Sequence, residues 1–508
     1  MQSLRKLLFV ALLALTMGSA FPGSQVAFAH VKDDAAINEF VVNPTTGKEY
    51  IELPATNHAR VNMQGKTISS VSTRAEATGA PLIISEFRTF GPTGSCDEFI
   101  EIYNTSNSLY TVQSLAADSF GFAVARSNGN VLFTIPNGTN IPARGHYLAV
   151  NSGGSGCTGS FSGGAYPAGT TTTATGDITL NENIPETNTG IALFNTSLQA
   201  GFTLDNRLDA VGPTTETNAL YKEGAGYPQI DYDPLSPMAQ PNYSLYRDAR
   251  SGLPRDTNDN DADFEVASTF AETLCFPTAN FNCSQLGAPG PENLSSPTQR
   301  NAEIKASLID SNCTGMAVNP TLPSACRFER RTDAGSGFGT SPTLRGTLSI
   351  RRRFTNSTGL SVTRLRFRIV DITTYLGGSA IGTPGVADLR AITSSSITAT
   401  CQSESGTPHL CSGSASPQTT IEGTTLETDA LGQPEGGGFN SSLSAGTVTL
   451  ANPLPAGASV NLQFLLGVEQ NGSFRFFVNV EALTSTPSPA ITSKAQATGK
   501  SRAAKGSR

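Results

Sequence analysis

The chain has 508 residues and a net charge of −7, with 15% charged residues, 50 glycines, 30 prolines and no tryptophan. That composition excludes a fold of long helices, which need the Ala/Glu/Lys/Leu runs missing here, and favours short strands joined by many turns. The length allows several domains, each with its own core, and the net charge is modest and spread out, with nothing like an overall nucleic-acid footprint over the folded part.

In chain order, Arg5 and Lys6 precede an apolar run over residues 7–17 that is too short to span a bilayer, and Ala27 and Ala29 flank Phe28 as at a cleavage site. Residues 1–29 are therefore expected to be a secretory signal cut before His30, with cleavage after Ala20 as the alternative. No later stretch is long and apolar enough to be a span. Residues 30–80 are expected to form an arm. Within it Ile37-Asn38-Glu39-Phe40, a turn at Asn43-Pro44, and Glu49-Tyr50-Ile51-Glu52-Leu53 echo the opening of the next segment. The echo ends at Pro54, and two strands alone are marginal in water.

From Pro81 strand signals come at short, regular intervals. Leu82-Ile83-Ile84-Ser85-Glu86-Phe87 is followed by Phe99-Ile100-Glu101-Ile102-Tyr103-Asn104, whose alternation predicts one apolar and one mixed face. A turn at Ser127-Asn128-Gly129-Asn130 predicts a hairpin between the runs at 121–124 and 131–133. The Ile-Pro dipeptides at Ile135 and Ile141 belong at strand ends or edges, because proline lacks the ladder donor. Further runs lie at 190–194, 208–212 and 243–247, and the segment closes on the Asp/Asn-rich stretch 256–263 before Phe264.

That order of motifs over residues 81–272 resembles the lamin tail domain. The resemblance implies an immunoglobulin-like β-sandwich and, in bacteria, an accessory targeting role beside secreted nucleases, phosphatases and other hydrolases. The nuclear, chromatin-binding role of metazoan lamin tails does not suit a chain with an export signal.

Residues 273–300, rich in Pro, Asn, Gly and Ser, are expected to be a linker, and residues 301–484 a second β-sandwich. In its clearest strand Leu365, Phe367 and Ile369 alternate with Arg364, Arg366 and Arg368, which predicts a core face and a solvated face. A turn at Asn356-Ser357-Thr358-Gly359 separates strands. Asn471-Gly472 predicts a type I′ hairpin joining the runs at 462–469 and 474–483. This half resembles immunoglobulin-like modules of bacterial secreted proteins. Residues 485–508 read as a disordered basic tail. The fold class is thus all-β: a lamin-tail-like, immunoglobulin-like β-sandwich followed by a second sandwich.

Eight cysteines, none in C-x-x-C spacing, fit disulfides in an oxidising compartment better than metal thiolates. The simplest scheme pairs them sequentially: Cys96 with Cys157, Cys275 with Cys283, Cys313 with Cys326, and Cys401 with Cys411. Asp256, Asn258 and Asn260 have the alternate oxygen spacing of a calcium loop, and Asp261 extends the acidic run. Yet Asp261 stands where such a loop needs glycine and Ala267 where it needs glutamate, so a run of Asx-turns is the competing account. Arg351, Arg352 and Arg353 with Arg364, Arg366 and Arg368 are a candidate patch for anionic polysaccharide or DNA, against a plain solvated face that blocks sheet stacking. Glu86, Glu98 and Glu101 suggest a carboxylate pair, but their strand positions read as acceptors for backbone or arginine donors. His146 stands in a strand with no serine elbow or cysteine near it in sequence, which argues against a nucleophilic triad.

These readings lead to an exported, non-catalytic binding, adhesion or scaffold protein, secreted or at the cell surface. Its expected partners are extracellular polysaccharide, DNA or a surface protein, and Ca2+ is its one candidate cofactor. The alternatives are a structural matrix or coat protein, and an accessory module or cryptic metal-dependent hydrolase of phosphoesterase or nuclease type.

Overall fold

β-branched and aromatic runs punctuated by Gly, Pro and Asn give an all-β chain in the computed structural model. The structure describes residues 41–42, 49–50, 80–89, 91, 97–151, 175–185, 188–228, 242–269, 284–313, 323–331, 345–374, 386–402, 407–412, 414–427 and 433–485. The expected signal, the tail beyond Ser485, and Cys96, Cys157, Cys275 and Cys283 lie outside the described residues. In the expected arm, Val41–Val42 pairs antiparallel with Glu49–Tyr50.

The first sandwich sets a seven-stranded sheet against a four-stranded one. The larger sheet runs in the order Ile178–Thr179, His146–Val150, Phe99–Asn104, Leu82–Arg88, Tyr243–Arg247, Phe264–Ser268, Gln285–Leu286. The smaller is Arg207–Val211, Ile191–Phe194, Gly121–Arg126, Val131–Pro136. Ile84, Phe87, Ile100 and Ile102 from one sheet meet Val124, Phe133, Ile135 and Leu193 from the other in a single apolar core. The Asn128-Gly129 hairpin is present: Gly129 takes φ +87°, open to a residue without Cβ, and its N–H donates to the Arg126 carbonyl.

The second sandwich is built the same way. A five-stranded sheet, Thr298–Gln299, Phe476–Thr484, Val362–Ile372, Ser442–Ser444, Thr425–Leu426, faces one organised around Thr347–Asn356 and Ser459–Gln470. Phe354 and Phe464 from one layer pack on Phe367 and Phe476 from the other, with the Phe367–Phe464 ring centroids 4.9 Å apart. The predicted Asn471-Gly472 hairpin is overturned here. Ser459–Gln470 and Phe476–Thr484 lie in different sheets and do not pair, so the chain arches over the core instead of folding back in-plane. The reason lies in the flanking phenylalanines: Phe464 and Phe476 meet across the core, 5.8 Å between centroids, which places their strands in opposite layers.

Residues 284–300 join the halves. Gln285–Leu286 adds a parallel strand to the first sandwich, and Thr298–Gln299 adds an antiparallel one to the second. Between them the backbone presses on the second sandwich so closely that a Cβ on Gly287 would lie 2.0 Å from the Phe439 carbonyl oxygen. Ser284, Leu286, Glu292 and Ser296 are buried, so this stretch is part of both sandwiches and not an open spacer. Tyr246 and Ala267 of the first sandwich pack into the apolar cluster of the second.

Candidate functional site: two buried charge clusters

The mixed face of Phe99–Asn104 and the arginine face of Val362–Ile372 turn toward each other. All six residues of Phe99–Asn104 are buried, and Arg366 is 2% exposed. The expected solvated arginine face is therefore corrected: alternation keeps these residues out of their own sandwich core, but the other sandwich and residues 284–300 cover them. Glu292, 0% exposed, is the hinge of the network. It pairs with Arg366, with Arg368 at 3.0 Å, and with His146 Nε2 at 2.8 Å. His146 Nδ1 lies 3.0 Å from Glu101, so the imidazole stands between two carboxylates. Glu481 takes the other side of the arginines, 2.5 Å from Arg366 and 3.0 Å from Arg368.

Backbone and hydroxyl donors complete the cluster. The Glu292 N–H donates to Glu101 Oε2 at 2.6 Å, and Ser85 to Glu101 Oε1 at 2.5 Å. Glu86 Oε1 accepts from Ser244 Oγ at 2.5 Å and from the Gly290 N–H at 2.9 Å. Burial, helped by the nearby Glu101 charge, raises the Glu86 carboxyl to about 7 despite Arg368 and its two hydrogen bonds. Glu481 goes the other way: burial alone would push its pKa up, but Arg366 and Arg368 together hold it below the ordinary value. Sealed on both sides, this cluster couples the sandwiches. It does not present a surface.

The second cluster surrounds Arg247, whose strand is anchored by the Arg247 Nε–H donating to the Ile84 carbonyl at 2.8 Å. Asp209 grips the guanidinium at 2.8 and 2.9 Å, and Asp263 and Asp256 lie 3.3 and 3.5 Å away. Glu223 joins this group and pairs through Oε1 with Arg207 at 3.2 Å. Its Oε2 is buried with no hydrogen-bond partner. Burial first, then the Asp209 and Asp256 charges, raise Glu223 to about 9, against the opposing pull of Arg247 and Arg207. Asp209, Glu223 and Asp256 each place a carboxylate oxygen within 4.8 Å of the others.

The predicted site residues are scattered over these arrangements. Asp256 belongs to the Arg247 cluster. Asn260 does not face a loop cavity: its Oδ1 accepts from the Gly212 and Glu223 N–H groups, and its Nδ2 donates to the Ala210 carbonyl. Asn258 sits at φ +59° and Asp261 is exposed, so the four candidates form no cage. The reason is local. Asp263 accepts from the Thr257 N–H and hydroxyl, and closes the segment into Asx-type turns and a short helical turn, Asn260–Asp263.

The six arginines share no face, because the two runs belong to different sheets. Arg351 pairs with Glu329 at 2.5 Å, and Arg352 donates to the Arg327 carbonyl. Arg353 donates to Asn461, and Arg364 pairs with Glu427 at 2.6 Å. The basic docking patch is thus replaced by internal pairing. Glu98 accepts from the Ile184 N–H and from Asn151, as strand-end acceptors do. Of the sequential disulfides, Cys313–Cys326 and Cys401–Cys411 are formed, with Cα separations of 5.0 and 5.3 Å.

Sequence reasoning missed Glu292, Glu223, Asp209 and Arg247. A usable signal was there for part of it: an acidic face on one central strand and a basic face on another call for each other. Three of the four large exposed apolar side chains among the described residues of the first sandwich, all but Leu109, lie on two neighbouring loops. Leu115 (98% exposed) and Phe120 (79%) lie on the loop entering Gly121–Arg126, and Leu204 on the loop leaving Ile191–Phe194. The loops touch where Ser197 Oγ accepts from the Phe120 N–H at 2.8 Å. Among the described residues, no helix is long and apolar enough to cross a membrane. No family model matches the chain, and no curated protein or solved structure matches it.

Proposed function

We propose that the chain is an exported, non-catalytic binding or adhesion protein, built on a lamin-tail-like sandwich that the second sandwich holds at a fixed angle. The observation that carries this reading is the division of side chains. Charged strand faces are spent on joining the two halves, while Leu115, Phe120 and Leu204 are left exposed on neighbouring loops at one end. Loops held by a rigid sandwich are where such folds carry recognition, and clustered exposed apolar residues mark contact sites. The two disulfides support an oxidising, extracellular setting.

The test is binding of the purified chain to immobilised anionic polysaccharide, to DNA and to intact bacterial cells, with Phe120→Ser and Leu115→Ser as variants. Retention on one of these surfaces, lost in the variants at unchanged melting temperature, is the expected result. Retention on none, together with concentration-dependent oligomers in light scattering, would replace this reading with a structural coat protein. Hydrolysis of a phosphodiester in the presence of a divalent metal would replace it with a phosphoesterase.

A further inference from the structure

The cluster around Arg247 has more carboxyl groups than guanidinium groups to pair with them. Asp209, Glu223, Asp256 and Asp263 face Arg247, Arg207 and Arg255, so one carboxylate is left over. The surplus has a location. Glu223 is 5% exposed, its Oε2 has no hydrogen-bond partner, and one of its carboxylate oxygens lies with one each of Asp209 and Asp256 inside a 4.8 Å span. That span is about twice a calcium–oxygen bond of ~2.4 Å. A buried carboxylate oxygen without a donor costs free energy that a proton, a water or a cation offsets.

We propose that Glu223 and Asp256, backed by Asp209, form a binding site for one hard divalent cation, of the calcium or manganese type. All the candidate ligands are carboxylate oxygens, which select hard cations over zinc or copper. The oxygens differ in spare capacity. Both of Asp209 already accept from backbone N–H groups, of Ile84 and Ala210, and from Arg247, so Asp209 contributes mainly charge from behind. Glu223 Oε2 is free. Asp256, with its side chain 17% exposed, opens the site to water, which fills the remaining coordination positions and gives the ion its way in. This is a different ligand set from the Asp256–Asp261 loop, with only Asp256 in common.

Glu223→Gln preserves shape and supplies an amide where a proton would sit, so the variant is expected to fold. The experiment is a thermal melt of chelator-treated full chain at pH 8, with and without saturating Ca2+, Mg2+ or Mn2+, on wild type, Glu223→Gln, Asp256→Asn and Asp261→Asn. A cation that binds only the folded state at a hundredfold excess over its Kd raises the melting temperature of a cooperative unit of this size by roughly 3–4 °C. The expected pattern is a rise in wild type and Asp261→Asn, its loss in Glu223→Gln and Asp256→Asn, and one ion per chain by titration calorimetry. No rise in wild type with any of the three ions overturns the proposal. So does a rise kept by Glu223→Gln, or one lost in Asp261→Asn, which would place the ion on the exposed loop.

Discussion

Both charge clusters gather buried arginines and carboxylates from several separate segments, and they differ in closure. At the junction, Glu292 and Glu481 bracket Arg366 and Arg368, His146 stands between Glu101 and Glu292, and both sandwiches exclude water. Around Arg247 the cluster is open at Asp256, and Glu223 Oε2 has no donor. Buried charge serves structure where carboxylates and cations face each other out of water, as Glu292 does with Arg366, Arg368 and His146, and becomes available for a ligand where the cluster opens to water, as it does at Asp256.

The comparison breaks most sharply at Arg366. Arg366→Met removes the cation between Glu292 and Glu481 and leaves both buried, at a cost of ~3–5 kcal/mol, the usual penalty for half of a buried pair. Denaturant titration is expected to show the loss and to split unfolding into two steps. An equal loss in Arg353→Met, whose half-buried guanidinium meets only Asn461 among the contacts described, would remove the distinction between junction and periphery.

A smaller effect sharpens the junction further. Glu86 binds its proton more tightly folded (about 7) than unfolded (4.5). The folded state is therefore favoured by this group below pH 4.5, and that advantage drains away as the pH rises to about 7, by up to ~3 kcal/mol. Glu86→Gln keeps an oxygen for the Ser244 and Gly290 donors and removes the charge beside Glu101. Its stability is expected to exceed that of wild type at pH 8 and to equal it near pH 4. Stability measured across this range that runs parallel for the two proteins would contradict the assignment.

Outside both clusters, Cys401→Ser with Cys411→Ser opens a ten-residue loop inside a small apolar cluster with Ile309, Ala325 and Ile421. The double variant is expected to lose ~2–3 kcal/mol without changing the pH profile. Smallest of all, Leu115→Ser on the exposed loop should shift stability by less than ~0.5 kcal/mol, so any loss of binding in that variant reflects the surface and not the fold.

Much of the fold was legible in the sequence, because period-two alternation reports directly which side of a strand avoids water. Leu365, Phe367 and Ile369 do lie in a core, and the Asn128-Gly129 turn does join paired strands. Alternation cannot say whether a polar face meets solvent or another polar face, and that is how the Arg364, Arg366 and Arg368 face was misread. Turn chemistry has a similar blind spot. Asn471-Gly472 is compatible with a tight hairpin, but Phe464 and Phe476 reach across the core and put the flanking strands in different sheets. The Arg247 cluster was the least legible part. Asp209, Glu223, Arg247 and Asp256 come from four separate segments, and only the Asp/Asn run around Asp256 carried a local signature.

The buried junction is expected to make the two sandwiches one cooperative unit. Scanning calorimetry of the full chain at pH 6, disulfides intact, tests it directly. A single transition whose calorimetric and van't Hoff enthalpies agree is the predicted result. Two separable transitions in the wild-type chain would contradict it, since a junction that holds Glu292, Arg366 and Glu481 out of water cannot survive the loss of either half.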